Sequence, residues 1–436
     1  MAYDIIIGRG ASDKERFGSR GLVYIGKGFV KMGNYTSLSN KIWMDVARSH
    51  VVLVAGKRGS GKSYTLGAIA EELSNLQDEA GKNVASLIFD TMGIFWTMKY
   101  KNEKDKELLK EWDLEAKNLP VKVFVPFGKE EDYREKGIPF DKTFALKVSE
   151  LEADEWVGLF NLEMTSLEGV LLTRVITKLK EDKEDFSISD IQKEIEKDHQ
   201  ASKEVKEVVS SLFLAAESWG VFSKDKKGTE VGDLVNAGTT TILDVSVYSS
   251  IGAFNVRALV ISLISRKLFR TRMDARKKEE MDALQKGQDY LSYSSERKEP
   301  LVWIFIDEAH EFLRKDEKTP ATDALVQLLR EGRQPGVSLV LATQQPGQIH
   351  KDVMTQSDIV ISHRVTAKPD IEALNEMMQT YLLANIQRQI DDLPALKGSA
   401  VILDDNSERI YPIRVRPRFT WHGGEAPTAV KAEIGI

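Results

Sequence analysis

Cysteine is absent from the 436-residue chain, which excludes a disulfide framework, a thiolate nucleophile and thiolate metal sites. Histidine is scarce: six residues are scattered without metal-ligand spacing. No stretch approaches the ~18 consecutive apolar residues of a membrane-spanning helix, and "MAYDIIIGRG" lacks the basic start and apolar run of a secretory leader. The expectation is a cytoplasmic protein with no membrane partner. Excess positive charge is missing too: 61 Lys and Arg against 67 Asp and Glu leave a net charge of −6. That argues against wholesale coating by nucleic acid but permits a local basic lining.

What is present is an ordinary soluble composition, 42% hydrophobic and 29% charged, long enough for two or three domains. Short β-like pieces separated by glycines ("YDIIIG", "GLVYIG", "GFVKMG") fill residues 1–45. A buried run "HVVLVAG" then leads through a glycine loop into "YTLGAIAEELSNL", with Leu66, Ile69, Ala70 and Leu73 at helical spacing. Further buried strands are expected at "NVASLIFD", "VKVFVPFG", "TTTILDVSVY", "LVWIFID", "VSLVLAT" and "IVISHRV", with helices between several of them. Residues 150–225 instead show only helical periodicity, including "SISDIQKEI", where Ser189 and Gln192 suggest a capping box. Residues 272–299 are charged enough for a mobile connection or a helix end. A closing hairpin is expected from "SAVILDD" and "RIYPIRVRPRF", with Ile413 and Val415 alternating with Arg414, Arg416 and Arg418.

The expected class is therefore α/β, a phosphate-loop NTPase core with a mainly parallel sheet, divided as follows. A short β segment covers 1–45, the core covers 46–149 and 236–420, a helical insertion covers 150–235, and a tail covers 421–436.

The chemistry is carried first by "GKRGSGKS", which fits G-x-x-x-x-G-K-[ST]. Gly56, Lys57, Arg58, Gly59, Ser60, Gly61, Lys62, Ser63 and the following Tyr64 form the expected ATP cradle. The glycines let backbone N–H groups turn inward around phosphate, Lys62 reaches the β- and γ-phosphates, and the Ser63 hydroxyl can ligate Mg²⁺. A second carboxylate source stands at the end of "LVWIFIDEAH": Asp307 for the Mg²⁺ shell and Glu308 to polarise the attacking water. Gln344, ending "VSLVLATQQP", can sense the γ-phosphate through its amide or simply close a turn before Pro346. Asp90 either orients water or Mg²⁺ or caps "TMGIF".

The blocks "VAGKRGSGKSYTLG", "FDTMGIF", "FIDEAHEFL", "LLREGRQPGVSLVLATQQPGQI" and "SDIVISHRVTAKPDIEAL" resemble, in order and spacing, the HerA branch of the HerA/FtsK superfamily of ring-shaped DNA-translocating ATPases. The resemblance covers most of the ATPase core and is weak over 100–240. It implies a RecA-like fold, a homohexamer with ATP at subunit interfaces, double-stranded DNA in a central channel, and a nuclease partner of the NurA type or another effector. Residues 1–45 would be a remnant of the family's N-terminal barrel, the HAS domain. Two arginines fit that picture as groups supplied to a neighbour's γ-phosphate: Arg333 in "REGRQPG" and Arg48 just before the phosphate-loop strand. Arg314, Lys315 and Lys318 after "DEAHEFL", and His350 and Lys351 after "QQPGQI", are the candidates for lining a DNA channel. A scaffold ATPase that organises an effector without moving along DNA is the alternative function.

Overall fold

Apolar runs of four to seven residues ending in glycine or a polar residue are the right length for buried strands, and in a computed structural model of the protein they pair side by side. The structure describes residues 4–32, 35–249, 254–287, 297–378, 386–425 and 429. In chain order the strands are β1 (Ile5–Ile7), β2 (Leu22–Met32), β3 (Tyr35–Asp45), β4 (Val51–Ala55), β5 (Val84–Asp90), β6 (Val121–Pro126) and β7 (Lys142–Phe144). They continue with β8 (Thr240–Asp244), β9 (Leu301–Ile306), β10 (Val337–Thr343), β11 (Ile359–Ser362), β12 (Ser399–Asp404) and β13 (Arg409–Val415). Among the described residues these thirteen strands make one sheet, in the order β1-β3-β2-β13-β12-β11-β4-β10-β9-β5-β8-β6-β7.

From β11 to β7 every neighbouring pair is parallel, as the alternation of buried strands and helices leads one to expect. The hairpin β12–β13 adds antiparallel strands to that side. Onto β13 the N-terminal hairpin β2–β3 adds in turn, through Gly26–Gly28, so residues 5–45 extend the core sheet. Gly26 and Gly28, expected to punctuate turns, instead sit at register shifts inside a single eleven-residue β2. A glycine inside a strand more often marks a bulge than an end.

Side chains alternate between two cores. Leu53, Ala55, Leu87 and Phe89 point to one face, and Val52, Val54, Val84 and Ile88 to the other. The second face is covered by the helix Lys62–Asn75, and the N-terminal strands add their own apolar side chains to that face. On the first lie the 32-residue helix Phe254–Gln285, the helix Thr322–Glu331 and, between β7 and β8, the helices Ala153–Leu159, Leu167–Asp182, Ile188–Lys197 and Lys203–Ser218. Trp156, Phe213 and Phe222 stack at the centre of that helical segment, with ring centroids 4.9 and 5.2 Å from Trp156. The capping box expected at Ser189 and Gln192 lies two residues earlier, on Ser187 and Asp190. Asp190 is the shorter and charged partner, and its carboxylate also takes up Lys183 and Lys226. Of the expected charged connection, residues to Gln285 continue the long helix, 286 and 287 turn out of it, and 288–296 lie outside the described residues. So do 379–385, between the helices Lys368–Met378 and Ile386–Asp391, and the tail after 425 apart from 429.

Where the N-terminal strands join the core, a buried ionic cluster forms at the N-terminal edge of the parallel strands. His50 donates from Nδ1 to Asp358 at 2.7 Å and from Nε2 to Asp45 at 3.2 Å, while Arg9 pairs with Asp45 from the other side. Burial pulls the His50 imidazole down, but the bonds to Asp358 and Asp45 outweigh it and leave its pKa raised to about 9. A pKa above the unfolded value of about 6.5 means that the contribution is fully present below pH ~6.5 and is lost as pH rises through ~9. We therefore expect thermal stability to fall between those limits, by on the order of 2–4 kcal/mol. His50→Gln should flatten that slope, and an unchanged slope in melting curves across this range would refute the assignment.

Candidate active site

The phosphate loop leaves β4 at Gly56 and enters the helix Lys62–Asn75. Gly61 has φ 110° and Gly59 φ 74°, conformations open to glycine that turn successive amides to one side. The end that leaves β4 is fixed by backbone bonds to the ends of neighbouring strands: the Gly56 amide donates to the Thr343 carbonyl at 3.2 Å and that of Lys57 to Arg364, just past β11, at 3.1 Å. A Cβ at Gly56 would lie 2.4 Å from Ser60 Oγ, so the cradle closes on itself without room for a side chain. Lys62 is buried, its Nζ 3.3 Å from the Lys57 carbonyl. Burial holds its pKa below the usual lysine value, against the opposing pull of Glu308 and Asp307.

Strand order brings the expected partners to this loop. β10 lies between β4 and β9, so the ends of all three open onto one edge of the sheet, where ligands of open α/β sheets bind. Ser63 Oγ donates to Asp307 Oδ2 at 2.5 Å, which joins the two residues expected to hold Mg²⁺. Glu308 takes a left-handed conformation, φ 51° and ψ 42°, which turns its side chain back toward β10. There the Gln344 amide donates to Glu308 Oε1, while Oε2 is buried without a hydrogen bond. Burial and the adjacent Asp307 push the Glu308 carboxyl up, and Gln344 and Lys62 hold it partly down. The residues fit a magnesium nucleotide: a glycine cradle, a desolvated lysine, a hydroxyl–carboxylate pair and an orphaned carboxylate oxygen converge on one space.

Asp90 also ends its strand at this edge, but the structure uses it as a cap. Its Oδ1 accepts from the amides of Met92, Gly93 and Ile94, and its Oδ2 accepts from Phe95 at 2.7 Å. Burial and Asp244, its register partner on β8, push the Asp90 carboxyl up to about 8, and burial raises that of Asp244. The amide donors at Asp90 oppose that rise without cancelling it. Gln344 is likewise engaged, its amide donating to Glu308.

Arg48 and Arg333 are not brought to this edge. Arg48 precedes β4 and Arg333 precedes β10, so both lie at the opposite end of strands roughly 17 Å or more long. Arg48 makes a bidentate pair with Asp13, at 2.9 and 3.1 Å, which holds its pKa above the ordinary value. Arg333 is exposed. Neither reaches the phosphate loop of its own chain.

The basic candidates, by contrast, come together. The Lys315 amide donates to the Gln348 carbonyl at 3.0 Å and that of His350 to Leu313 at 2.7 Å, around a bridge between Arg314 and Ile349. The loops after Glu308 and after Gln344 thus share a short ladder that gathers Arg314, Lys315, His350 and Lys351. Arg314 pairs with Glu317 at 2.5 Å, and Lys318 with Asp323 at 2.9 Å; Arg314, Lys318, Lys315 and Lys351 are all exposed.

With this geometry in place the comparisons with known proteins are decisive for kinship. Residues 30–268, more than half of the chain, match the family described as "Helicase HerA, central domain". The chain belongs to the HerA family. It is 26% identical over 184 residues to the DNA double-strand break repair helicase HerA of Pyrococcus furiosus, a stretch that is 39% of this chain and 31% of the relative. A probable HerA helicase of Methanocaldococcus jannaschii is 36% identical over 69 residues, 16% of this chain and 14% of that one. The matched stretch is thus under a third of each of these curated relatives. Among solved structures, VirB4 of Thermoanaerobacter pseudethanolicus superposes with a TM-score of 0.57 at 11% identity, covering 95% of this chain and 98% of that one. At that identity the likeness is one of fold. Among the described residues no helix is long and apolar enough to cross a membrane.

The HerA-family reading passed over several residues that shape the site. His363, just past β11, is fully buried beneath the phosphate loop. Burial lowers its pKa to about 4, so it is neutral, with Nδ1–H donating to the Ser399 carbonyl at 3.0 Å and Nε2 accepting from Thr65 at 2.8 Å. A signal was available: a polar residue closing a buried strand that neighbours the phosphate-loop strand. Arg416 and Arg418 were expected to alternate outward along a hairpin. Instead β13 ends at Val415, and both arginines fold inward onto fully buried Glu71 of the phosphate-loop helix, with bonds of 3.0 and 2.9 Å. Proline 417 between them breaks the two-residue period. The Arg418 amide then reaches Tyr64 Oη at 2.7 Å, which ties the chain after β13 to the cradle.

Proposed function

We propose that this chain is an ATP hydrolase that works as a ring-forming motor on duplex DNA, in company with a nuclease or other effector. The observation that carries the reading is the pairing of two loops. One begins at Glu308 and the other at Gln344; they are joined at the base by the Gln344–Glu308 hydrogen bond and farther out by the ladder around Arg314 and Ile349. A change at the carboxylate on hydrolysis would move the basic cluster with it. Bound magnesium nucleotide would supply phosphoanhydride to be cleaved, with the loop amides and Lys62 on its phosphates and Ser63 and Asp307 on the metal. Glu308 would take a proton from water at its Oε2, and Gln344 would hold the carboxylate in line. Arg48 and Arg333 stand on the sheet edge away from their own cradle, which suits donation to a neighbouring subunit and supports a ring, a hexamer in the resembling family.

One observation favours the scaffold alternative: Arg314 and Lys318 are offset by Glu317 and Asp323. Lys315 and Lys351 therefore carry the DNA reading. Steady-state ATPase with and without duplex DNA, at low and high salt, separates the two. We expect salt-sensitive stimulation, and we expect Lys315→Ala with Lys351→Ala to remove most of it while basal turnover persists, lowering the salt slope by about 2. Stimulation unchanged in the double variant would take these lysines out of any DNA path, and turnover indifferent to DNA would favour the scaffold.

A further inference from the structure

The helix Phe254–Gln285 begins with a charge in an unfavourable place. Arg257 lies in its first turn, where the helix dipole opposes a cation, and it is only 6% exposed. Its counter-charge comes from the catalytic loop. Arg257 Nη2 lies 3.1 Å from Glu311 Oε2, with the guanidinium carbon 5.9 Å from the centre of the Phe312 ring. The Glu311 amide in turn donates to the Glu308 carbonyl at 2.9 Å, closing the single turn Ala309–Glu311 that follows left-handed Glu308. A non-glycine residue keeps such a conformation only where its surroundings over-determine it.

The helix that presents Arg257 is itself fixed by the helical segment before β8. Asn255 Nδ2 donates to the Leu159 carbonyl at 3.1 Å, Arg266 pairs with Glu155, and Lys267 reaches Glu150 at 2.9 Å and Glu230 at 3.1 Å. We propose that Arg257 is a positioning residue: by gripping Glu311 it sets the turn that aims Glu308, and its helix makes that aim depend on the helices of residues 153–234. The inference rests on Glu308 being the base.

The competing account is a pair that only stabilises the fold, and a double-mutant cycle distinguishes the two. Arg257→Gln, Glu311→Gln and the double variant would be assayed for ATP turnover beside Arg257→Lys and Glu308→Gln, each checked for folding by melting. We expect each single change to lower kcat about tenfold through misplacement of the base, with KM for ATP little altered. The double variant should be no worse than the poorer single, and Arg257→Lys should recover much of the loss. Folded singles with kcat within about twofold of wild type, or losses that multiply in the double, would overturn the proposal. If Arg257→Gln does not fold, Glu311→Gln decides alone, since it leaves the arginine in place. Turnover persisting in Glu308→Gln would instead overturn the reading of the base.

Discussion

Glu308→Gln should bind ATP about as tightly as the wild type and hydrolyse it at least about 100-fold more slowly. The side chains differ by one atom type and fill the same space, so the cradle, Lys62 and the Ser63–Asp307 pair stay in place. What is lost is the ability of Oε2 to take a proton, and the structure leaves that atom buried without a hydrogen bond for the purpose. Burial and Asp307 raise its basicity, which brings a carboxylate closer to the pH at which a general base works best. An amide cannot replace that, although it can still bond to Gln344. Nucleotide affinity measured with a fluorescent analogue, together with steady-state turnover, decides the matter; turnover within about threefold of wild type would remove Glu308 from the role.

Glu71→Ala should cost stability on the order of 3–5 kcal/mol, a large share of the 5–15 kcal/mol typical of a folded domain. Glu71 is fully buried and accepts from Arg416, Arg418, Thr420 and the Phe419 amide. Burial pushes its pKa up, but the two arginines and Thr420 prevail, and its carboxyl sits below the usual range. Removing it strands the Arg418 guanidinium inside the protein and leaves Arg416 only Glu72, at 2.9 Å, and stranded charge is the expensive outcome. The pocket cannot relax by sliding the arginine closer, because Arg418 already packs against Gly67, where a Cβ would lie 2.5 Å from Nη1. Denaturant unfolding of Glu71→Ala and Glu71→Gln tests this, and a loss below about 1 kcal/mol for the alanine variant would show that the cluster is not holding the segment down.

These two residues differ in how visible they are from sequence. Glu308 announces itself, because an apolar strand ending in adjacent carboxylates has few uses, and the alternation of runs implies parallel strands, although the order that places Asp307 near Ser63 is seen only in the fold. Glu71 looks like an exposed position of an amphipathic helix. Its partners are more than 340 residues away, and no local period reports a contact of that range. The same limit explains the N-terminal strands: glycines at 26 and 28 look identical whether they end a strand or bulge it, and only pairing with β13 decides. It explains Arg48 too, whose position before β4 was legible but whose pairing with Asp13 depended on a short helix, Ala11–Phe17, that carries no strong periodic signal. Arg257 was hidden for a related reason: in an apolar helix it reads as an isolated charge until the Glu308 loop is placed beside it.

The continuity of the sheet across β13 and β2 has a practical corollary for anyone dividing this chain into parts. A cut placed after residue 45, where the sequence suggests a boundary, would strip β2 from β13 and leave an open strand edge running beside the phosphate-loop helix. It would also take away the Tyr24 carbonyl, to which Arg416 Nε donates at 3.2 Å, and Asp45, one of the two partners that keep His50 charged. A bare edge next to a disturbed ionic cluster invites pairing between copies, so insolubility of such a fragment would report on the cut and not on the catalytic core.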